Sequence, residues 1–232
     1  MEHTHQRPGV AGRGEVSRRP DGRLFLSIDT WTDEEFALLA ADMLPALPRP
    51  LYTVVDEADA ELRRRWESAG FTTRRREWEY VLPAAPGVVP APAGVTIGPP
   101  SDTRSLSSAE DVIRAEVEAA VGWQEMPAEI LPRPAVPDVG KYVVAESAGD
   151  YVGLVRLAAV TRQPRIGLIA VRADRRRRGI GRALLGHVLN TLHHKGIPAA
   201  TAEVNEANPA AVALFEGAGA RRAGSNLELV LR

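Results

Sequence analysis

The sequence predicts an α/β fold, and three observations support this prediction. Two strand-like segments, 141–146 and 151–160, flank a turn sequence at 147–150, which is typical of a β-hairpin. An apolar segment, 166–171, is followed after a polar turn by an amphipathic stretch at 180–195. Strand-like and helix-like segments then alternate to the last residues, which is the pattern of a sheet with helices packed on it.

The second half of the chain accounts for most of these elements. In order, they are a strand at 95–98, a helix, a short helix near 128–131, the hairpin, a strand at 166–171, a helix at 180–195, a strand at 199–204, a helix and a strand at 227–231. Ser107 and Glu110 have the capping-box spacing that begins a helix. Asn208 is the expected N-cap of the last helix, with Pro209 at its first position and Gly219 after its end.

The first half has a similar order of elements. Strands are expected at 23–28, 51–55 and 76–82, with a helix before the second strand and another, at 58–69, before the third. Thr32 and Glu35 form a capping box for the first helix, and Trp31 and Phe36 occupy the positions of a hydrophobic staple. The polar segment 1–20 is expected to be a flexible tail.

An internal repeat links the two halves. Moving the first half forward by 149 residues places Val55 on Val204, Gly70 on Gly219 and Leu82 on Leu231 without a gap. The sequence therefore predicts a tail at 1–20, a smaller β-α-β-α-β domain at 21–83, a Pro/Ala-rich linker at 84–93 and a larger domain at 94–232. The alternative is a separate small α/β domain whose similarity to the second half is coincidental.

The turn between the strand at 166–171 and the following helix is rich in Arg and Gly. It reads Arg-Ala-Asp-Arg-Arg-Arg-Arg-Gly-Ile-Gly-Arg. The first turn of a helix has unpaired N–H groups and the positive end of the helix dipole. Glycines let a ligand approach the backbone, and arginines have forked donors that suit phosphate oxygens. This combination predicts a pyrophosphate site, and the alternative is a solvated charged loop.

Arg176, Gly179 and Gly181 match the pattern Arg/Gln-x-x-Gly-x-Gly/Ala, the acyl-CoA signature of the GCN5-related N-acetyltransferase (GNAT) family, which the chain therefore resembles. The order of elements over residues 94–232 also resembles that family. The resemblance implies a mixed, mostly antiparallel sheet with flanking helices. The first half then resembles a degraded half-copy, because its first strand leads directly into its helix without the Arg/Gly turn.

The resemblance implies acetyl-CoA as co-substrate and a primary amine of a small molecule or peptide as acceptor. Residues 169–171 would hold the pantetheine arm through their backbone, and the Val171 N–H would polarise the thioester carbonyl. The complete set of expected cofactor-binding residues is Ile169, Ala170, Val171, Arg176, Arg177, Arg178, Gly179, Ile180, Gly181, Arg182, Ala183, Asn208 and Phe215.

The expected catalytic groups depart from the family pattern. Many members have a tyrosine on the last helix that acts as general acid for the leaving thiolate, and this chain has Phe215 at the matching position. Glu125, in a loop after the first helix of the second half, and Glu203, on the strand at 199–204, are the main candidates for the general base, with Glu146 weaker. Alternation on the strand leaves open whether Glu203 faces the cleft or solvent.

Composition excludes several other classes of function. The chain has 232 residues, a net charge of −1 and no cysteine, which excludes disulfides, thiolate metal sites and a cysteine nucleophile. We expect a cytoplasmic monomer or homodimer with no metal, no nucleic-acid partner and no membrane contact, because the charge is balanced and no long apolar run exists. A non-catalytic acyl-CoA-binding or regulatory module is the alternative to an enzyme.

Overall fold

A computed structural model describes residues 2–6, 9–87, 89–127, 136–160 and 163–232, with the backbone alone for Glu2, His3, Ala159 and Val160. The helix expected near 128–131 lies outside these residues. The chain forms two compact units, one of Met1–Trp78 with Gly224–Arg232 and one of Glu79–Ala223. These boundaries differ from the predicted division at 83 and 94, because the last strand contributes to the first unit.

The first unit is a sheet with two helices. Its elements are β1 (Glu2–His5), β2 (Gly12–Arg18), β3 (Leu24–Thr30), α1 (Asp33–Met43), β4 (Leu51–Asp56), α2 (Ala60–Ser68), most of β5 (Thr72–Pro83) and the end of β11 (Arg221–Leu231). β2 pairs antiparallel with both β1 and β3. β4 pairs parallel with β3 and antiparallel with β11. The buried Trp66 of α2 packs edge-on against Phe36 and Phe71, so both helices share one apolar core.

β2 corrects the expectation of a flexible tail over residues 1–20. It pairs with β3 along its whole length, from Gly12 opposite Thr30 to Arg18 opposite Leu24. Along β2 only Gly14 and Val16 are buried, and a β-carbon at Gly14 would lie 2.0 Å from the Met43 sulfur. Since one inward side chain is absent and one is apolar, the alternation that identifies a strand is too weak to recognise in the sequence.

The start of α1 confirms one expectation and contradicts another. The Thr32 hydroxyl accepts a hydrogen bond from the Glu35 N–H at 3.2 Å, and Glu35 accepts one from the Thr32 N–H at 3.1 Å, which completes the capping box. The predicted staple is wrong, because Trp31 is 87% exposed whereas Phe36 is buried. Phe36 instead packs against Trp66.

The second unit contains the Arg/Gly turn. Its elements are the end of β5, β6 (Thr96–Gly98), α3 (Thr103–Ala120), β7 (Tyr142–Ser147), β8 (Asp150–Val160), β9 (Gln163–Val171), α4 (Ile180–His194), β10 (Ala199–Asn205), α5 (Pro209–Gly217) and the start of β11. β6 to β9 pair antiparallel with their neighbours, and β9 pairs parallel with β10. This mixed, mostly antiparallel sheet with helices confirms the predicted fold class.

α3 begins earlier than the sequence suggests. Its N-cap is Asp102, whose side chain accepts from the Ser105 N–H at 2.8 Å, so the predicted capping box at Ser107 and Glu110 is wrong. Glu110 is fully buried inside the helix and accepts hydrogen bonds from Arg114 and from the Tyr142 hydroxyl. Burial, together with the nearby Glu110 charge, raises the pKa of Tyr142.

The Pro/Ala-rich segment at 84–93 packs on the second unit. The Gly87 N–H donates to Asn190 of α4 at 3.2 Å, and the Ala84 N–H donates to the Pro198 carbonyl at 2.8 Å. A β-carbon at Gly186 would lie 2.4 Å from Val89. Gly186 therefore lets this segment approach the helix closely.

The two units repeat the same local structure at the predicted offset. α2 and α5 occupy corresponding residues, 60–68 and 209–217, and β4 and β10 end at the corresponding Asp56 and Asn205. Asp56 accepts from the N–H two residues ahead at 2.8 Å, and Asn205 does the same at 2.9 Å. The repeat is therefore present in hydrogen bonds as well as in element order.

We expect Glu57→Gln to lower the free energy of unfolding by about 1 kcal/mol near neutral pH. Arg76 donates to both Glu57 carboxylate oxygens at 2.7 Å, and Ser225 donates at 2.7 Å. The Arg76 guanidinium lowers the pKa of Glu57 to about 2. Because this pKa is lower than that of the unfolded chain, about 4.3, the stabilisation is present above the unfolded value and is lost as the pH falls towards 2.

Urea unfolding of both proteins at neutral and acidic pH measures this effect. Glu67→Gln is the matched control, because its ion pair with Arg63 is exposed on α2 and is expected to contribute less than about 0.5 kcal/mol. A Glu57→Gln destabilisation that stays constant down to about pH 2 would contradict the assignment of the shift to the ionised carboxylate.

Candidate active site

The pairing of β9 with its neighbours β8 and β10 shapes the strand that leads to the Arg/Gly turn. β10 pairs in parallel with β9 at Thr201 and Arg165, near the start of both strands. The register between β9 and β8 shifts at Gly167, since Arg156 lies opposite Leu168 whereas Leu157 lies opposite Ile166. Such a bulge bends the strand that contains it. The bulge at Gly167 lies just before the segment 169–171.

The N–H groups of Ile169 and Val171 face away from β8. The Arg172 N–H donates to the Val152 carbonyl of β8 at 2.9 Å. Because successive N–H groups of a strand point to opposite sides, the Val171 N–H points towards the β10 side, as does that of Ile169. This orientation is the one that the expected pairing with an extended ligand would require.

Two left-handed residues shape the Arg/Gly turn. After a short 3-10 helix at Ala173–Arg175, Arg177 has φ +63° and Gly179 has φ +86°. The side chains of Arg176, Arg177 and Arg178 are exposed. Arg176 also donates to the Val171 carbonyl at 3.1 Å, which ties the turn to the end of β9.

The N-terminus of α4 has no side-chain cap. Gly179 is the N-cap, so the N–H groups of Gly181 and Arg182 in the first turn lie where an anion would accept from them. Ile180 and Ala183 are buried in the core, so their side chains cannot contact a ligand, and the Ala183 N–H donates to the Gly179 carbonyl within the helix. In α1 of the first unit the capping box and three acidic residues occupy the corresponding turn, which disfavours an anion there.

Glu116 of α3 holds the first residue of the turn, a role that sequence reasoning missed. Its carboxylate accepts from the Ala173 N–H at 2.6 Å and lies 3.6 Å from the Arg172 side chain. The contact joins residues far apart in the chain, so no local pattern reveals it. It fixes the backbone directly after Val171.

Asn208 and Phe215 of α5 have different outcomes. Asn208 caps the helix by accepting from the Ala211 N–H at 3.1 Å, as predicted. Phe215 is 3% exposed and stacks against Tyr80 with ring centroids 6.0 Å apart. Phe215 is expected among the cofactor-binding residues, and the structure places its side chain in the core instead.

The loop that contains Glu125 contacts the end of β10, the strand that contains Glu203. The side chain of Asn205 donates to the Glu125 carbonyl at 2.8 Å, so the loop containing Glu125 lies against the end of β10. Alternation places Glu203 on the same face as Asn205. Glu203 forms an ion pair with Arg165 and its side chain is 12% exposed, so it does not face open solvent. Glu146, the weaker candidate, is the penultimate residue of β7, beside the hairpin turn.

The structure bears on other classes of site. Within the described ranges no group of three or more His, Asp or Glu side chains is placed to hold a metal ion. No helix in the part of the chain that the structure describes is long and apolar enough to cross a membrane. The arginine runs of the first unit pair with acidic side chains, as Arg65 does with Asp33 and Arg76 with Glu57, so their charge is locally balanced.

Comparisons of the sequence with protein families and with known proteins both find acetyltransferases. The family model described as "Acetyltransferase (GNAT) family" matches residues 110–220. The [ribosomal protein bS18]-alanine N-acetyltransferase of Escherichia coli K12 is 45% identical over 51 residues, which are 22% of this chain and 34% of that protein. The chain thus matches about a third of the length of this relative.

Solved structures resemble the whole chain in fold. A GCN5-related N-acetyltransferase from Sphaerobacter thermophilus has a TM-score of 0.70 at 17% identity, covering 95% of this chain and 76% of that one. A tandem GNAT protein from the clavulanic acid biosynthesis pathway has a TM-score of 0.68 at 16% identity, covering 99% and 83%. At these identities the likeness shows the fold, and the family model places the match to the acetyltransferase (GNAT) family at residues 110–220.

Proposed function

We propose that the protein is an acetyl-CoA-dependent N-acetyltransferase that transfers an acetyl group to a primary amine of a small molecule or peptide. The observation that carries the proposal is the Arg/Gly turn, which leads from the carboxyl end of β9 to the uncapped N-terminus of α4. The E. coli relative is named for an alanine acceptor in a ribosomal protein. That name is consistent with an amine acceptor at the level of chemical class.

The residues present fit acetyl-CoA, which would supply the acetyl group as a thioester. Gly181 and Arg182 N–H groups and the exposed arginines suit the pyrophosphate, because charge-assisted hydrogen bonds to phosphate oxygens are the strong ones. The backbone of 169–171 suits the amide groups of the pantetheine arm. The Val171 N–H is the proposed donor to the thioester carbonyl oxygen.

The chain must also make the amine nucleophilic. An alkylammonium with a pKa near 10.4 is neutral in roughly one molecule in a few thousand at neutral pH. We assign Glu125 as the group that takes the proton, directly or through water, because its loop follows α3 and is held against the end of β10. The amine nitrogen forms a bond to the acetyl carbon as the carbon–sulfur bond breaks, and the thiolate takes its proton from solvent because Phe215 has none to give.

We assign this chemistry to residues 94–232 and a structural or substrate-shaping role to the first half. The first half resembles the second in its repeated elements but has no Arg/Gly turn. We also propose that the protein acts in the cytoplasm, as a monomer or homodimer.

Calorimetric titration with acetyl-CoA and CoA, followed by turnover assays with a panel of amines and thiol detection, tests the proposal. Micromolar binding and release of free CoA with at least one amine are the expected results. No binding would contradict the proposal. Binding without turnover would favour a non-catalytic acyl-CoA-binding module, the alternative that the buried Phe215 supports because it removes the usual acid.

We expect Glu125→Gln to lower kcat/KM for the amine by about 100-fold, the usual contribution of a positioned general base. Acetyl-CoA affinity should not change, because Glu125 is not among the residues assigned to the cofactor. Steady-state kinetics over a range of pH check this, since loss of the base removes the acidic limb of the profile. Activity within threefold of wild type would instead favour Glu203 or an ordered water.

A further inference from the structure

We infer that Asn205 is a positioning residue that holds the acceptor loop, defined here as Trp123–Met126, against the end of β10. This inference rests on the proposed function, because it concerns how Glu125 reaches the acceptor amine. Asn205 is the last residue of β10 and is 5% exposed. Its side-chain amide donates to the Glu125 carbonyl at 2.8 Å.

The orientation of the Asn205 amide follows from its two hydrogen bonds. The side-chain carbonyl accepts from the Ala207 N–H at 2.9 Å, while the NH₂ group donates to the Glu125 carbonyl. Exchanging the two groups would place the NH₂ against a donor and the carbonyl against an acceptor. One side chain therefore joins the turn after β10 to the loop that contains Glu125.

Trp123, the first residue of the loop, also contacts α3 and the core of the second unit. Trp123 packs beside the core under α3, and the Arg114 guanidinium lies 5.0 Å from its ring centroid. The backbone N–H of Trp123 donates to the Glu118 carboxylate at 2.6 Å. These contacts fix the beginning of the loop to α3, whereas Asn205 fixes Glu125 itself to the sheet.

The internal repeat separates the two functions of Asn205. Asp56, at the corresponding position of the first unit, keeps the turn bond by accepting from the Ala58 N–H at 2.8 Å. An ionised aspartate has no donor, so it can form the turn bond but not the bond to a loop carbonyl. Asp56 is exposed whereas Asn205 is buried, so Asn205→Asp can keep the turn bond but replaces the donor at the Glu125 carbonyl with a carboxylate oxygen.

We expect Asn205→Asp to lower kcat/KM for the amine by about tenfold, while the affinity for acetyl-CoA changes less than twofold. Loss of one buried hydrogen bond corresponds to a change of this order. The amide protons of the acceptor loop should exchange with solvent about tenfold faster in the variant, measured in the absence of substrate. Asp56→Asn is the matched control and should leave loop exchange and turnover unchanged.

A double-mutant cycle tests whether Asn205 acts through Glu125. If it does, Asn205→Asp lowers activity much less in the Glu125→Gln background than in the wild type. Full additivity, or unchanged loop exchange in the single variant, would overturn the inference. Failure of the wild-type protein to bind acetyl-CoA or turn over any amine would instead overturn the proposed function, and the exchange measurement would still test the role of Asn205.

Discussion

Replacing Gly181 with tryptophan is expected to abolish acetyl-CoA binding while the chain remains folded. Gly181 lies in the first turn of α4, which has no side-chain cap. An indole there would cover the N–H groups that we assign to the pyrophosphate. Each hydrogen bond to a charged group contributes about 1.5–3 kcal/mol, so loss of two corresponds to an affinity reduced by about 100-fold or more.

The space around Gly181 accommodates a β-carbon without displacing its neighbours. A β-carbon at this position would meet Leu214 at 3.7 Å and Val171 at 3.8 Å, which are ordinary contacts. Gly179 is less suitable for the test, because its φ of +86° strains any other residue.

Gly181→Ala is the matched control, since the family pattern accepts Gly or Ala here, and it should bind acetyl-CoA within about tenfold of wild type. Calorimetry measures the affinity, and thermal unfolding of each variant checks the fold. If Gly181→Trp binds as tightly as wild type, the pyrophosphate site lies elsewhere.

Replacing Glu228 with glutamine is expected to destabilise the protein by about 3–5 kcal/mol. Glu228 is fully buried in the first unit and accepts hydrogen bonds from Arg23, Arg74 and Arg75 at 2.7–3.1 Å. The variant leaves three guanidinium groups without this negative charge, and glutamine turns an NH₂ donor towards other donors. Arg23 keeps Asp21 and Arg75 keeps Glu77 as partners, so the cost comes from the lost Glu228 charge and the mismatched donor, and it does not measure the net contribution of the intact cluster.

Urea unfolding of Glu228→Gln measures the loss, which should lower the midpoint without changing the slope. Glu67→Gln, in an exposed ion pair on α2, is again the control for removal of a carboxylate. A loss below about 1 kcal/mol would mean that water or other groups compensate the arginines, contrary to the buried geometry.

Local patterns were sufficient for most of the fold. Asn208 and Thr32 cap their helices as predicted, because a cap depends on residues within one turn. The pattern failed at Ser107, where a fitting spacing lies inside α3 and Asp102 forms the cap instead. It also failed over β2, because a strand with one apolar inward side chain has almost no periodic signal.

The candidate site divides in the same way. The sequence by itself determined the Arg/Gly turn, its place between a strand and a helix, and the repeat at an offset of 149 residues, because these depend on neighbouring residues and spacing. Only the tertiary structure decided that Phe215 is buried, that Glu203 is paired with Arg165, and that Glu116 and Asn205 hold the turn and the acceptor loop. These contacts join residues distant in the chain, so their energies depend on how the elements pack.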